Sequence, residues 1–487
     1  MTLKYAGQRL LRVHIDHPDF KRGAKLWKLV KRIEELDCSY ATRHISPFIS
    51  SLGSAPNLKV LRLRDVDRDP ADTSRRGQRK QLPKIFRGSM PSLRELCLTI
   101  AVAVTWPPGL FKNLRSFELG VDAEEALCST LVLDVLRESP LLENLHLVGS
   151  CELPDGELPP VVLSSLKKCT LVGNEALSLI SLICFMDIPP SANVFLSTPP
   201  LLGDAAVVYP FHDLCLAPGL HVLDEVSTTS FTIGFDTIRL RVQNESGGAL
   251  DIQVHYYENV MIGLMIIAVL LKDLFCGSTS KFQSTKEFSL HIERGASRDD
   301  AESVFCATVF AKFTFSTPFL EKMTLCGVPA RALSFYLLFL QKGLDAAIPF
   351  PNLQKVHIET TPIRSAKPFL GNLDELLKKR NGSGVPLQFV DVKVNCETLV
   401  SMAEHSAFLT AWKDLVGEDV KVEYFRDRVE VLPRRGLPLV QFTNRPESED
   451  EEEVGEVESG DRDLEWESWD SGEWPKAASE VRGPTET

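Results

Sequence analysis

The chain has 487 residues, of which 44% are apolar and 25% charged, and a net charge of −12. An ordinary globular core takes ~100–200 residues, so this length implies several domains or a repeat architecture that grows by stacking. The composition excludes a wholly disordered chain, and the acidity argues against general phosphate-backbone binding.

In chain order, residues 1–9 lack the apolar stretch of a secretory signal. Residues 10–15, Leu-Leu-Arg-Val-His-Ile, read as a first strand. His14 and His17 are three apart, but spacing fixes no third ligand beside them, so they are expected to be surface histidines and no metal site is expected. At Ile33 a short pattern begins, L-x-x-L-x-L, and it returns at Leu58, Leu93, Leu114, Leu142 and Leu166, with late copies at Leu320 and Leu353. Successive starts are separated by 25, 35, 21, 28 and 24 residues. Leucine-rich repeats run ~20–29 residues. The longest gap therefore holds a loop, for which residues 69–77 supply turn formers. Pro56 and Pro91 precede two copies, and proline suits the first residue of a strand, where no ladder donor is required.

Residues two apart on a strand share a face, so the fourth and sixth positions of each copy point inward and those between point outward. A single such strand cannot bury itself, whereas stacked neighbours can. Helix-like segments lie between strands: residues 131–138 before Ser139-Pro140, 48–52 before Gly53, and 370–380 closed by Asn381-Gly382. The alternation predicts an α/β fold, a leucine-rich-repeat solenoid with a curved parallel sheet and helices on the convex side. An ordinary doubly wound α/β domain is the alternative. From about 180 to 310 the repeat fades. Residues 191–196, 237–242 and 288–292 still read as strands, taken as degenerate repeats of the same sheet. The apolar run 260–271 is shorter than the ~20 residues of a membrane span and reads as a buried helix.

Several units carry a resemblance. Leu82-Pro83-Lys84-Ile85-Phe86-Arg87-Gly88 followed by Met90-Pro91-Ser92-Leu93-Arg94-Glu95-Leu96 is one. Trp106 with Leu110-Phe111-Lys112-Asn113-Leu114 is a second, and Leu136-Arg137-Glu138-Ser139-Pro140-Leu141-Leu142-Glu143-Asn144-Leu145 a third. Val162-Leu163-Ser164-Ser165-Leu166 and Pro189-Pro190-Ser191-Ala192 continue in order. Over residues 8–360 the chain resembles the F-box/leucine-rich-repeat proteins of mushroom-forming fungi. In that family an F-box precedes the repeats and binds the Skp adaptor of a cullin–RING ubiquitin ligase. Residues 10–15 look like the first strand after the F-box. The resemblance thus implies a substrate-recognition module without its F-box, binding the Skp adaptor only if an F-box is supplied upstream.

Residues 446–487 hold 16 acidic and three basic residues, including an acidic run from Glu449 to Glu453. This stretch is expected to be a disordered acidic tail, with residues 1–445 forming the solenoid. Trp466, Trp469 and Trp474 lie in it, half of the chain's six tryptophans. They suggest an acidic-aromatic docking motif, against the plainer reading of a solubilising tail. The tail's charge leaves residues 1–445 close to neutral.

The 11 cysteines include no C-x-x-C pair and are read as small buried hydrophobes in a reducing, cytoplasmic or nuclear compartment. Asn244 and Asn381 open N-x-S sequons, which matter only in a secreted chain. Arg75, Arg76, Arg79 and Lys80 make a basic loop, read as solvated rather than nucleic-acid binding. No phosphate-binding loop, zinc-protease or nucleophile-elbow motif occurs, so no catalytic residue and no cofactor are expected and the chain is read as a non-enzyme. The candidate site is the outward strand face, which the pattern assigns to Glu35, Asp37, Arg62, Arg64, Glu95, Glu118, Asn144, His146, Lys168, Lys322, Lys355 and His357. Mixed charge spread over many repeats suits a protein partner held on a concave strand face, with no membrane and no nucleic acid expected. A two-site scaffold, using the strand face and the tail and unrelated to ubiquitylation, is the alternative.

Overall fold

The computed structural model describes residues 10–16, 29–40, 54–65, 80–81, 89–100, 104–106, 109–121, 126–152, 158–173, 176–201, 214, 217, 219–234, 237–256, 284–293, 317–328, 333–334, 336–337, 350–361, 363–398, 402–416 and 419–425. All belong to the unit formed by residues 1–428. The expected helices at 48–52 and 260–271, the loop at 69–77, Arg75, Arg76, Arg79, His17 and the acidic tail lie outside the described residues.

The repeating piece is a tight turn followed by a strand. In Ala55-Pro56-Asn57-Leu58 and Met90-Pro91-Ser92-Leu93 the fourth N–H donates to the first carbonyl, at 3.2 and 3.1 Å. Ser139-Pro140-Leu141-Leu142, Thr317-Pro318-Phe319-Leu320 and Phe350-Pro351-Asn352-Leu353 repeat this at 3.0–3.3 Å. The first and fourth residues of each turn are buried. The prolines therefore do not open strands as the sequence suggested. Each takes the second position of a β-turn, where its fixed φ is already correct. Ser139 adds a side-chain bond: its buried Oγ accepts the Leu114 N–H at 3.2 Å. Ser139→Ala strands that donor and is expected to cost about 1–3 kcal/mol, read as a lower denaturant midpoint.

The strands are β1 (Leu11–Asp16), β2 (Ile33–Tyr40), β3 (Val60–Asp65), β4 (Glu95–Ile100), β5 (Ser116–Val121), β6 (Asn144–Val148), β7 (Lys168–Val172) and β8 (Asn193–Leu201). They continue as β9 (Val226–Ile233), β10 (Thr237–Asn244), β11 (Ala249–Tyr256), β12 (Glu287–Ile292), β13 (Lys322–Val328), β14 (Lys355–Thr360), β15 (Phe389–Thr398) and β16 (Val420–Phe425). These sixteen make one mostly parallel sheet. A seventeenth strand, Ile363–Ser365, pairs with the far end of β15.

The pairing register matches the sequence repeat. One ladder runs Val13, Leu36, Leu61, Leu96, Phe117, Leu145, Cys169 and Val194 across β1 to β8. Every one of these is buried. Two residues further on, Cys38, Leu63, Leu98, Leu119, Leu147, Leu171 and Leu196 form a second buried ladder. Each fully buried leucine contributes about 1.5–3 kcal/mol by leaving water, so the two ladders are the main source of cohesion between repeats.

The described strands of the region where the repeat fades lie in the same sheet, but one of them is reversed. β8 pairs in parallel with β11, not with β9. β11 is antiparallel to β10, and β10 to β9, which rejoins the parallel series at β12. The expectation of a wholly parallel sheet is thus corrected. The short connections 234–236 and 245–248 cannot cross a sheet, because a parallel crossover needs a dozen residues or more. Adjacent strands joined this closely must form hairpins.

The described elements include four α-helices: α1 (Ser129–Arg137), α2 (Ala176–Cys184), α3 (Lys367–Gly382) and α4 (Met402–Val416). α1 and α3 fall on expected segments, and Gly384 at φ +76° sits just past the end of α3. Arg380 of α3 is buried, and its Nη2 donates to the Phe350 and Leu353 carbonyls, both at 3.2 Å. The helix is tied in this way to the turn before β14. Burial brings the Arg380 pKa down to about 10. Trp412 of α4 donates from Nε1 to Asp374 at 3.0 Å, linking the two helices.

Candidate protein-binding face

Between the two buried ladders the alternation turns every other side chain to the opposite face, where three outward columns form. The first takes Glu35, Glu95, Asn144 and Lys168, and later Lys322 and Lys355. Asp37, Arg62, Glu118, His146 and His357 lie in the second. Arg64 lies in the third. All twelve expected residues therefore share one face of the sheet. Trp466, Trp469 and Trp474 lie outside the described residues.

The face is laced by ion pairs across neighbouring strands. Arg12 meets Glu35 at 3.0 Å, His14 meets Asp37 at 3.5 Å, and Arg64 reaches the same Asp37 at 3.6 Å. Arg62 lies 3.6 Å from Glu95, and His146 lies 3.7 Å from Glu118. Lys322 contacts Glu287 at 3.1 Å, and His357 contacts Asp391 at 2.9 Å. On the reversed strand Arg239 grips Asp251 with two bonds, at 2.8 and 2.5 Å, which raises the Arg239 pKa. His14, expected as an ordinary surface histidine, is half-exposed and paired with Asp37.

Ion pairs on exposed strands contribute ~0–1 kcal/mol each, so the fold does not depend on them. What they provide is a patterned, largely self-neutralising surface. A partner that displaced one member of a pair would have to replace its charge, and that is a source of selectivity.

Cys97, Cys128, Cys184 and Cys326 are only partly buried and depart from the reading of cysteine as a buried leucine substitute. Cys169 and Cys396 are buried, but Cys97 and Cys326 are half-exposed in the outward columns. Partial burial, with Glu118 alongside, pushes the Cys97 thiol up to about 11. Burial and then Glu359 raise that of Cys326. Both are protonated near neutrality, which makes them poor nucleophiles.

Sequence reasoning missed Cys326, Glu359, Asp391 and Lys393 as members of the face. Glu359 and Asp391 alternate with buried Ile358 and Val392 in the same two-residue rhythm, which was the available signal. Among the described residues no helix is long and apolar enough to cross a membrane. Neither a protein-family model nor a curated protein sequence matches the chain.

Proposed function

We propose that the chain is a non-catalytic protein-binding module: a leucine-rich-repeat solenoid that holds a protein partner on its outward strand face. It resembles in this the substrate-recognition part of an F-box protein of a cullin–RING ubiquitin ligase. The observation that carries the reading is the alignment of outward residues into columns, which extends mixed charge over many strands instead of converging it on a pocket. Protein interfaces are built on such extended surfaces, with a minority of residues supplying most of the energy. The three tryptophans in the acidic tail favour a second reading, a scaffold that engages another partner through residues 446–487.

One experiment separates the two. A partner captured by the full chain is cross-linked and its contacts mapped, then rebound to Arg62→Glu with His146→Glu, and to a chain lacking residues 446–487. Binding through the strand face predicts at least a tenfold loss in the charge-reversed double variant, with an unchanged denaturation midpoint, and no loss on truncation. Loss on truncation alone would move the site to the tail. Full binding by both variants would remove both readings.

A further inference from the structure

We propose that Cys326, His357 and Glu359 form a site for a divalent transition-metal ion, with zinc the best fit. Cys326 on β13 lies directly opposite Glu359 on β14, and His357 precedes Glu359 by two residues on the same face. One ligand atom from each of the three lies within 4.8 Å of the other two. Zinc holds sulfur at ~2.3 Å and nitrogen or oxygen at ~2.0–2.2 Å, so tetrahedral ligand atoms stand roughly 3–4 Å apart. The cluster needs to close by no more than roughly 1–2 Å, which side-chain rotation supplies.

Two further features prepare the site. His357 Nδ1 lies 2.9 Å from Asp391 Oδ2. A carboxylate at one imidazole nitrogen fixes the tautomer and turns the other nitrogen, Nε2, into the lone-pair donor a metal needs. The second feature is a β-bulge. The register shifts between Cys326 and Val328, with Gly327 as the extra residue at φ +68°. A Cβ at Gly327 would collide with the Ile292 carbonyl, so only glycine fits. Bulges re-aim the side chains beside them, and Cys326 is the neighbour.

Metal binding releases the Cys326 proton, and the resulting set of thiolate, imidazole and carboxylate is borderline-soft, which selects zinc or cobalt over calcium or magnesium. Three protein ligands leave a fourth position for water. Lys393, opposite Glu359 on β15, is the competing cation, and a three-ligand chelate outmatches a single ammonium at one carboxylate.

The test uses the metal-free full chain titrated with Co²⁺. The expected result is one saturable equivalent giving tetrahedral d–d absorption and a thiolate-to-cobalt charge-transfer band, both bleached by Zn²⁺. Cys326→Ser should abolish the charge-transfer band. Glu359→Gln should weaken binding at least tenfold, and Asp391→Asn about 10–100-fold. Because the chain holds 11 cysteines, alkylation is followed on the Cys326 peptide, where Zn²⁺ should slow modification. Circular dichroism checks that each variant is folded. Absence of a saturable band, its survival in Cys326→Ser, or alkylation of Cys326 at an unchanged rate with Zn²⁺ would each overturn the site.

Discussion

Replacing Phe117 by alanine is expected to lower stability by about 3–5 kcal/mol, the range for emptying a buried aromatic position. Phe117 is fully buried in the first core ladder, between Leu96 and Leu145. Its neighbours in the ladder are fixed by strand hydrogen bonds on both sides, so the cavity cannot collapse readily. In the sheet each strand is held mainly by its two neighbours. The loss therefore falls on the β4–β5 and β5–β6 interfaces and should lower the cooperativity of unfolding as well as its midpoint. Glu118→Ala, one residue along on the outward face, removes contacts with His146 and Cys97 on a largely exposed surface and should shift stability by less than ~1 kcal/mol. Guanidinium denaturation followed by circular dichroism reads both. A Phe117→Ala loss below about 1 kcal/mol would mean that the ladder is not the source of cohesion.

The same alternation explains what the sequence disclosed. A two-residue period sets which side chains face the core, so the pattern alone puts the twelve outward residues on one face. The period carries no information on strand direction. Thr237–Asn244 alternates just as its parallel neighbours do, and its reversal was legible only in the connections on either side, too short for a crossover. β15 escaped notice because its core positions are Val390, Val392 and Val394 rather than leucines. The Cys326–His357–Glu359 cluster was hidden for a different reason. Cys326 lies about thirty residues before His357 and Glu359 in sequence, and only the register of β13 on β14 makes them neighbours. Spacing offered no third ligand beside His14 and His17, and it is blind to ligands assembled across a ladder.

The reversed strand has a single side chain at its joint, and the second large effect is expected there. Asn244 ends β10 and is buried. Its Nδ2 donates to the Pro190 carbonyl at 2.8 Å and to the Val222 carbonyl at 3.2 Å, while its Oδ1 accepts the Gly248 N–H at 2.9 Å. Pro190 lies in the turn before β8, Val222 in the helical turn His221–Leu223 before β9, and Gly248 in the hairpin to β11. One amide thus fastens the hairpin to the repeats on both sides. With every amide group engaged in the core, the sequon at this position has no side chain to offer a glycosyltransferase. Asn244→Ala strands two carbonyls and an N–H, at about 1–3 kcal/mol for each buried group. Asn244→Asp is the sharper variant, because the shape is kept and only the donor is lost. A carboxylate there would face two carbonyl oxygens away from water, so the folded state holds the introduced group's proton more tightly than the unfolded chain does. Its pKa is raised on folding. The stability deficit should therefore be smallest below the unfolded value of about 3.9 and grow as pH rises through the folded value. Denaturation midpoints of Asn244→Asp and the unaltered chain, compared at about pH 4 and about pH 7.5, should show the gap widening at the higher pH. An equal gap at both values would mean that the Asn244 amide does not hold this joint, and that the hairpin is kept in place by its apolar ladder alone.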